Sequence, residues 1–230
     1  MTSNLTSRGP YLKGVAKRAE IVQAAAKIFA RYGYLAGSLG QIAAEVGTTK
    51  ATLIKYFDSK EGLLIAVLQH WARETEAQQG DASGLAYFVS MSRTMAYHLN
   101  HAGYIELFLT LSTEATNLNH PARGFITERY ISVFRQFRQN LAIAAAEGEI
   151  LPMTQRQMEW EARTFMAVMD GIELQWLLDR EIDLLDLFVD HLTITVARWT
   201  GMSREDTLRM VELPLHGLAS TRARASISAT

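Results

Sequence analysis

Five residues between positions 38 and 60 have the types and spacing for a definite chemistry. Ser38 stands three positions before Gln41, the spacing of a helix capping box, and Thr49 stands immediately before a second short helical pattern that begins at Lys50. A hydroxyl at a helix start, beside backbone N–H groups without partners, favours an anion, and the amines of Lys50, Lys55 and Lys60 add positive charge to the same stretch. The chemistry is the holding of phosphate rather than the making or breaking of bonds. Helix capping alone accounts equally well for Ser38 and Thr49, and the two roles coexist.

Candidate catalytic groups are scarce. There is no cysteine, which removes disulfides, thiolate metal sites and thiol nucleophiles. No G-x-S-x-G, G-x-x-x-x-G-K or H-E-x-x-H pattern occurs, so no catalytic residue, cofactor or metal is expected. His98 and His101 are three apart, but no carboxylate follows at matching spacing. The acidic run Asp179, Glu181, Asp183, Asp186 and Asp190 reads as a solvated junction and the start of a helix, where carboxylates oppose the macrodipole.

Charge divides the chain unevenly. Residues 1–60 hold nine Lys/Arg against three Asp/Glu, a balance of +6, which leaves 14 basic and 21 acidic residues, or -7, in the remainder. A basic head on an acidic body is the electrostatic footprint of a modular nucleic-acid binder whose body is kept off phosphate. The polar stretch Met1 to Pro10 reads as no signal peptide, and no window approaches the ~20 apolar residues of a membrane span, so the expected location is the cytoplasm with no membrane partner.

The elements that must position these residues are helices. The four prolines, Pro10, Pro121, Pro152 and Pro214, each fall where a helical pattern starts, stops or has ended. The spacing predicts a first helix over residues 13–32, with Ile21, Ala25, Ile28 and Phe29 inward and Gly33 as its stop. Short helices follow over 39–46 and 50–57, joined by a tight turn at Gly47 and Thr48, and a long fourth helix starts at Asp58 or Ser59 and ends before Gly80. Further helices are expected over 85–100, 104–117, 123–147, 155–180 and 184–200. Two short helices with a glycine turn, preceded by a longer one, form the helix-turn-helix plan, in which the second short helix enters the major groove.

Here the chain resembles the TetR (tetracycline-repressor-like) family. The resemblance rests on residues 18–29, Gly33-Tyr34, Ser38, Ile42-Ala43, Val46-Gly47, Thr49 to Leu53, Tyr56-Phe57, Ser59 to Glu61 and Leu63, some 50 consecutive positions without a gap. It implies a recognition helix over 49–56. Lys50, Ala51, Thr52 and Lys55 then face bases or flanking phosphates, Tyr56 and Lys60 hold phosphates, and Ser38 and Thr49 act at the helix starts. Three positions depart from the pattern: Ile54 stands where the family usually carries a phosphate-contacting Tyr, Gly40 where a basic or polar residue is common, and Thr48 where a buried Val is common.

A second likeness, over 147–150, 169–172 and 175–179, is to the C-terminal regulatory domain of a large subgroup of the same family. It implies that the last two long helices pack against their symmetry mates in a homodimer, with Gly171, Gln175, Trp176, Phe188 and Leu192 at the interface. The alternative is that Trp176 and Phe188 fill the core of their own protomer. The expected lining of a small-molecule pocket is Met95, His98, Tyr104, Phe108, Phe137, Met166 and Met169, adaptable or aromatic side chains that serve as core just as readily.

The expected fold is all-α, with about nine helices. A flexible arm occupies 1–12, a three-helix helix-turn-helix domain 13–60, a larger ligand-binding and dimerisation domain 61–200, and a largely flexible tail 201–230. The implied function is a ligand-released repressor that binds double-stranded operator DNA. The competing reading is a helical regulator that acts through protein partners and has lost its ligand response.

Overall fold

The computed structural model describes residues 8–215, with side chains from residue 13 onward. Among the described residues there are ten α-helices and no strand: α1 (Arg8–Ala36), α2 (Leu39–Glu45), α3 (Lys50–Phe57), α4 (Lys60–Ala77), α5 (Leu85–Leu99), α6 (Ala102–Glu114), α7 (Arg123–Ala146), α8 (Gln155–Leu178), α9 (Leu184–Thr200) and α10 (Arg204–Glu212), then a 3-10 turn at Leu213–Leu215.

Two compact units emerge. Among the described residues, the first comprises 8–73 and 106–126, the second 74–105 and 127–215. The core of the first is built from Ile21, Ala25 and Phe29 on α1, Ile42 on α2, Leu53 and Phe57 on α3, and Leu63 and Leu64 on α4, all buried. The 3.6-residue period of those positions is what brings four helices onto one centre. The core of the second is aromatic. Phe88, Phe137, Phe165 and Trp199 meet edge to face or tilted at 4.8–6.3 Å, an arrangement that satisfies the ring quadrupoles as it excludes water.

Several boundaries differ from those expected. α1 begins at Arg8, inside the stretch expected to be a flexible arm, with Pro10 in its first turn where the missing N–H costs nothing; the rest of that arm, residues 1–7, lies outside the described residues. The helix breaks at Gly33 as expected, with φ 74° and ψ 163°, but resumes for a further turn to Ala36. α10 occupies part of the expected tail. Ser203 caps it by accepting from the Asp206 N–H at 3.1 Å, and Val211 and Thr207 are buried. The remainder of that tail, residues 216–230, lies outside the described residues.

Candidate functional site

Local hydrogen bonds shape the α2–α3 hairpin. The Ser38 hydroxyl accepts from the Gln41 N–H at 3.2 Å, and the Gln41 side chain accepts from the Ser38 N–H at 2.8 Å, so the capping box closes in both directions. Gly47 turns the chain at φ 59°, a conformation L side chains rarely adopt. Thr49 caps α3 by accepting from the Thr52 N–H at 3.2 Å. Both hydroxyls act as acceptors in these caps. Lys17 closes the rear of the hairpin by donating to the Val46 carbonyl at 2.7 Å, and the Arg18 guanidinium lies 4.8 Å from the centre of the Phe57 ring.

These supports orient α3 with Leu53 and Phe57 inward and Lys50, Ala51, Ile54 and Lys55 in solvent, while Thr52 and Tyr56 are half-buried at the flanks. The residues at the expected contact positions of the recognition helix thus share one outward arc. Lys60 is placed differently. It is half-buried, donates to the Leu35 carbonyl at 3.1 Å and sits 4.5 Å from the centre of the Tyr34 ring. Its amine closes off the end of α1 in this structure. Beside it the Tyr34 hydroxyl donates to Glu61 at 3.2 Å, and burial, with the Glu61 charge, pushes the phenol up to about 12.

Gly40 gains a physical reason. A Cβ at that position would meet Lys50 Cε at 2.8 Å and Nζ at 3.4 Å, so the Lys50 side chain lies in the space a larger residue would fill. Thr48, a second departure, is half-buried in the turn.

In the second unit, Met95, His98, Phe137, Met166 and Met169 are buried and Tyr104 is half-buried, whereas Phe108 is half-buried on the part of α6 that belongs to the first unit. Phe137 is a member of the close-packed aromatic core, where its ring touches Tyr87, Phe88 and Phe165. His98 belongs to a polar cluster that sequence reasoning does not assemble. Its Nδ1 pairs with Glu173 Oε1 at 2.5 Å, both side chains being buried. One turn earlier on α8, Asp170 accepts from the Tyr130 hydroxyl at 2.7 Å. Burial pushes the Asp170 carboxyl up to about 6; the Tyr130 hydrogen bond opposes that shift and the Glu173 charge reinforces it. A signal is present in the sequence: Glu173 interrupts the inward run of Met166, Met169, Ile172 and Trp176, and the half-buried Asp170 flanks it. Around the end of α5, His101 Nδ1–H donates to the Tyr97 carbonyl at 2.8 Å, and its ring stacks on Tyr97 at 4.0 Å. Burial raises the Tyr104 phenol to about 12. Among the described residues, no three His, Asp or Glu side chains are grouped as metal ligands.

The residues expected at a dimer interface separate into two groups. Phe188 and Leu192 have 0% of their surface exposed, and Trp176 is buried with the Arg180 guanidinium 3.9 Å from its ring centre. These three fill the core of their own protomer, the alternative left open by the sequence, because the inward face of α9 is needed to cover α5 and α8. Gln175 is exposed and Gly171 half-buried, and a Cβ at Gly171 would meet nothing within 4 Å. Exposed apolar side chains lie on the same two helices: Trp160 (59% exposed), Leu174 and Leu178 (80%) on α8, and Leu187 and Ile194 on α9.

A capped helix-turn-helix with an outward basic helix, followed by further helices, defines an all-helical protein with a helix-turn-helix head. Residues 21–67 match the model of bacterial regulatory proteins of the tetR family. The match covers the helix-turn-helix head, about a fifth of the chain. The A-factor receptor protein of Streptomyces griseus is 27% identical over 156 residues, covering 67% of this chain and 52% of that protein. The HTH-type transcriptional regulator RutR of Escherichia coli (strain K12) is 39% identical over 75 residues, 31% of this chain and 35% of RutR. The chain thus spans about half the length of the first of these relatives and about a third of the second. A crystal structure of a TetR-family regulator from Rhodococcus sp. shares the fold with a TM-score of 0.68 at 20% identity, covering 80% of this chain and 98% of that one. No helix among the described residues is long and apolar enough to cross a membrane.

Proposed function

We propose that this protein is a DNA-binding transcriptional regulator of the bacterial cytoplasm: a homodimeric repressor that leaves its operator when a small molecule binds its body. The observation that carries this reading is the outward arc of α3, where Lys50, Ala51 and Lys55 stand free on a hairpin held by two capped helix starts. Lys50 and Lys55 contact phosphates or base edges, Ala51 and Thr52 face bases, and Ser38, Thr49 and Tyr56 contact the backbone. Lys60 orders the end of α1 and lends its charge from there. The reading needs no catalytic group.

The exposed apolar stripe of α8 and α9 supports a twofold interface, in which Gly171 and Gln175 lie beside Trp160, Leu174, Leu178 and Ile194. The His98, Asp170, Glu173 and Tyr130 cluster, with Met95, Tyr104, Met166 and Met169 on the same helices or next to them, supports a ligand site in the second unit. Polar groups that cost free energy to bury recur where binding is required. The A-factor receptor protein is named as a receptor, which supports a ligand response here as well. α4 belongs to both units, its residues up to Arg73 to the first and Glu74 onward to the second, so a shift in the body reaches the head through a continuous helix. Two recognition helices fit successive major grooves only about 34 to 36 Å apart, and a change in that separation releases DNA.

The test begins with selection of binding sites from genomic DNA by the purified full-length protein; no enrichment of any sequence refutes DNA regulation. A ligand suggested by the genes beside the selected site is then titrated against free protein and against the protein–operator complex. Linkage requires that DNA weaken ligand binding by the same factor by which ligand weakens DNA binding. Equal ligand affinity in both states refutes the switch and leaves DNA binding intact.

A further inference from the structure

On the exposed face of α3, two apolar side chains stand between two lysines. At about 100° per residue, the outward arc runs Lys50, Ile54, Ala51, Lys55, leading away from the buried Leu53 and Phe57. Ile54 is 40% exposed. It offers no hydroxyl or amine to a phosphate and no hydrogen bond to a base edge, and a β-branched residue gives a short helix less intrinsic stability than Lys, Arg or Gln at the same place. The Lys50 side chain does not cover it. Gly40 leaves room on α2 for the Lys50 stem, whose Cε lies 2.8 Å from where a Cβ would stand, so Lys50 leans toward α2 and the middle of the arc is left to Ile54 and Ala51.

Only one apolar group on the base-pair edges of the major groove can meet such a surface, the C5-methyl of thymine. We propose that Ile54, assisted by Ala51, is a specificity-determining residue that selects thymine at one base pair of each half-site by packing against its methyl group. Lys50 and Lys55 on either side supply the charge that draws the face into the groove. The proposal rests on the DNA-binding reading above. Within that reading it converts a position with no hydrogen-bonding atom into one that carries sequence information.

Deoxyuridine is the direct probe, because it pairs as thymine does and lacks only the methyl. A site selected from randomised duplexes by the full-length protein is resynthesised with each thymine replaced in turn by deoxyuridine, in both half-sites together. For the wild type, one position per half-site should lose about fourfold per methyl removed, or about sixteenfold for the symmetric pair, the equivalent of one buried carbon in each half. Ile54→Ala, at an exposed position, keeps the fold by circular dichroism and thermal melting, binds the thymine site more weakly, and no longer distinguishes deoxyuridine there. A second variant, Ile54→Gln, keeps the length of the side chain without its apolar surface and should likewise lose the distinction. If the wild type selects a site in which no deoxyuridine weakens binding, or if Ile54→Ala stays as sensitive as the wild type at every thymine, the proposal is overturned while DNA regulation stands. If the wild type selects no site, both readings fall.

Discussion

Replacing Asp170 with Asn should stabilise the protein at neutral pH and weaken any ligand that depends on the body cluster. In the fold, burial holds the Asp170 carboxyl at about 6 against an ordinary value of 3.8, so the folded chain keeps a proton that the unfolded chain releases. The folded state therefore binds more protons between about pH 4 and 6, and stability falls as pH rises through that window and stays lower above it. The difference, at 1.36 kcal/mol per pH unit, is about 3 kcal/mol, an upper limit because side chains and water relax around the charge. Asn keeps an acceptor for the Tyr130 hydroxyl, now at 2.7 Å from the carboxyl, and carries no charge. The variant should thus gain about 1.5 to 3 kcal/mol at pH 8, with a melting point higher by roughly 3 to 12 °C for a chain of this size, and about a third of that at pH 4.5, where the unfolded carboxyl is already largely ionised. Urea and thermal unfolding of both proteins from pH 4.5 to 8 measures it. A gain independent of pH, or a loss at pH 8, would falsify the assignment of a buried, destabilising carboxyl. A gain in stability with unchanged ligand affinity would separate that carboxyl from the binding site.

Other expectations follow from the same geometry. Lys50→Ala with Lys55→Ala should flatten the salt dependence of operator binding by ~0.9 in log-log slope for each phosphate that is no longer neutralised, and an unchanged slope in a folded double variant removes these lysines from the interface. Gly40→Ala displaces only the flexible end of Lys50, so melting should be unaffected while operator affinity changes; in a Lys50→Ala background the same substitution should do nothing, which a double-mutant cycle reads directly. Phe188→Ala should cost about 3–5 kcal/mol of protomer stability because the ring has no exposed surface. Ile194→Arg, on the outward side of α9, should leave the melting of the protomer core intact and shift sedimentation toward monomer; a variant that stays dimeric places the interface elsewhere.

The head is legible in the sequence because its determinants are local. A capping box needs residues three apart, a tight turn needs glycine at one position, and the inward period of Ile21, Ala25 and Phe29 needs only its own helix. Lys60 is not legible in the same way. Its partners, the Leu35 carbonyl and the Tyr34 ring, lie about 25 residues away, and only the folded end of α1 brings them to the amine. The helix-initiating residues at 203–206 also form a local signal, yet α10 reads as tail because its sequence is dominated by charge and its buried side chains, Thr207 and Val211, are few.

The body shows why apolarity alone does not separate a core from an interface. α8 and α9 are apolar over much of their circumference, which demands cover on more than one side, but the pattern does not say which side meets a partner. The structure places Trp176, Phe188 and Leu192 in the protomer core and leaves Trp160, Leu174, Leu178 and Ile194 outside. The polar cluster is hidden for a related reason. Asp170 and Glu173 lie one turn apart on one helix, but Tyr130 comes from α7 and His98 from α5, so the group exists only where three helices converge. The inward side of α8 carries three carboxylates, Glu161 paired with Arg198 and then Asp170 and Glu173, and the same volume filled with hydrocarbon would fold more tightly. Asp170 is the one of the three that faces an uncharged phenol, and burial holds its proton toward neutral pH, so the fall in folding stability with rising pH reports on this polar cluster.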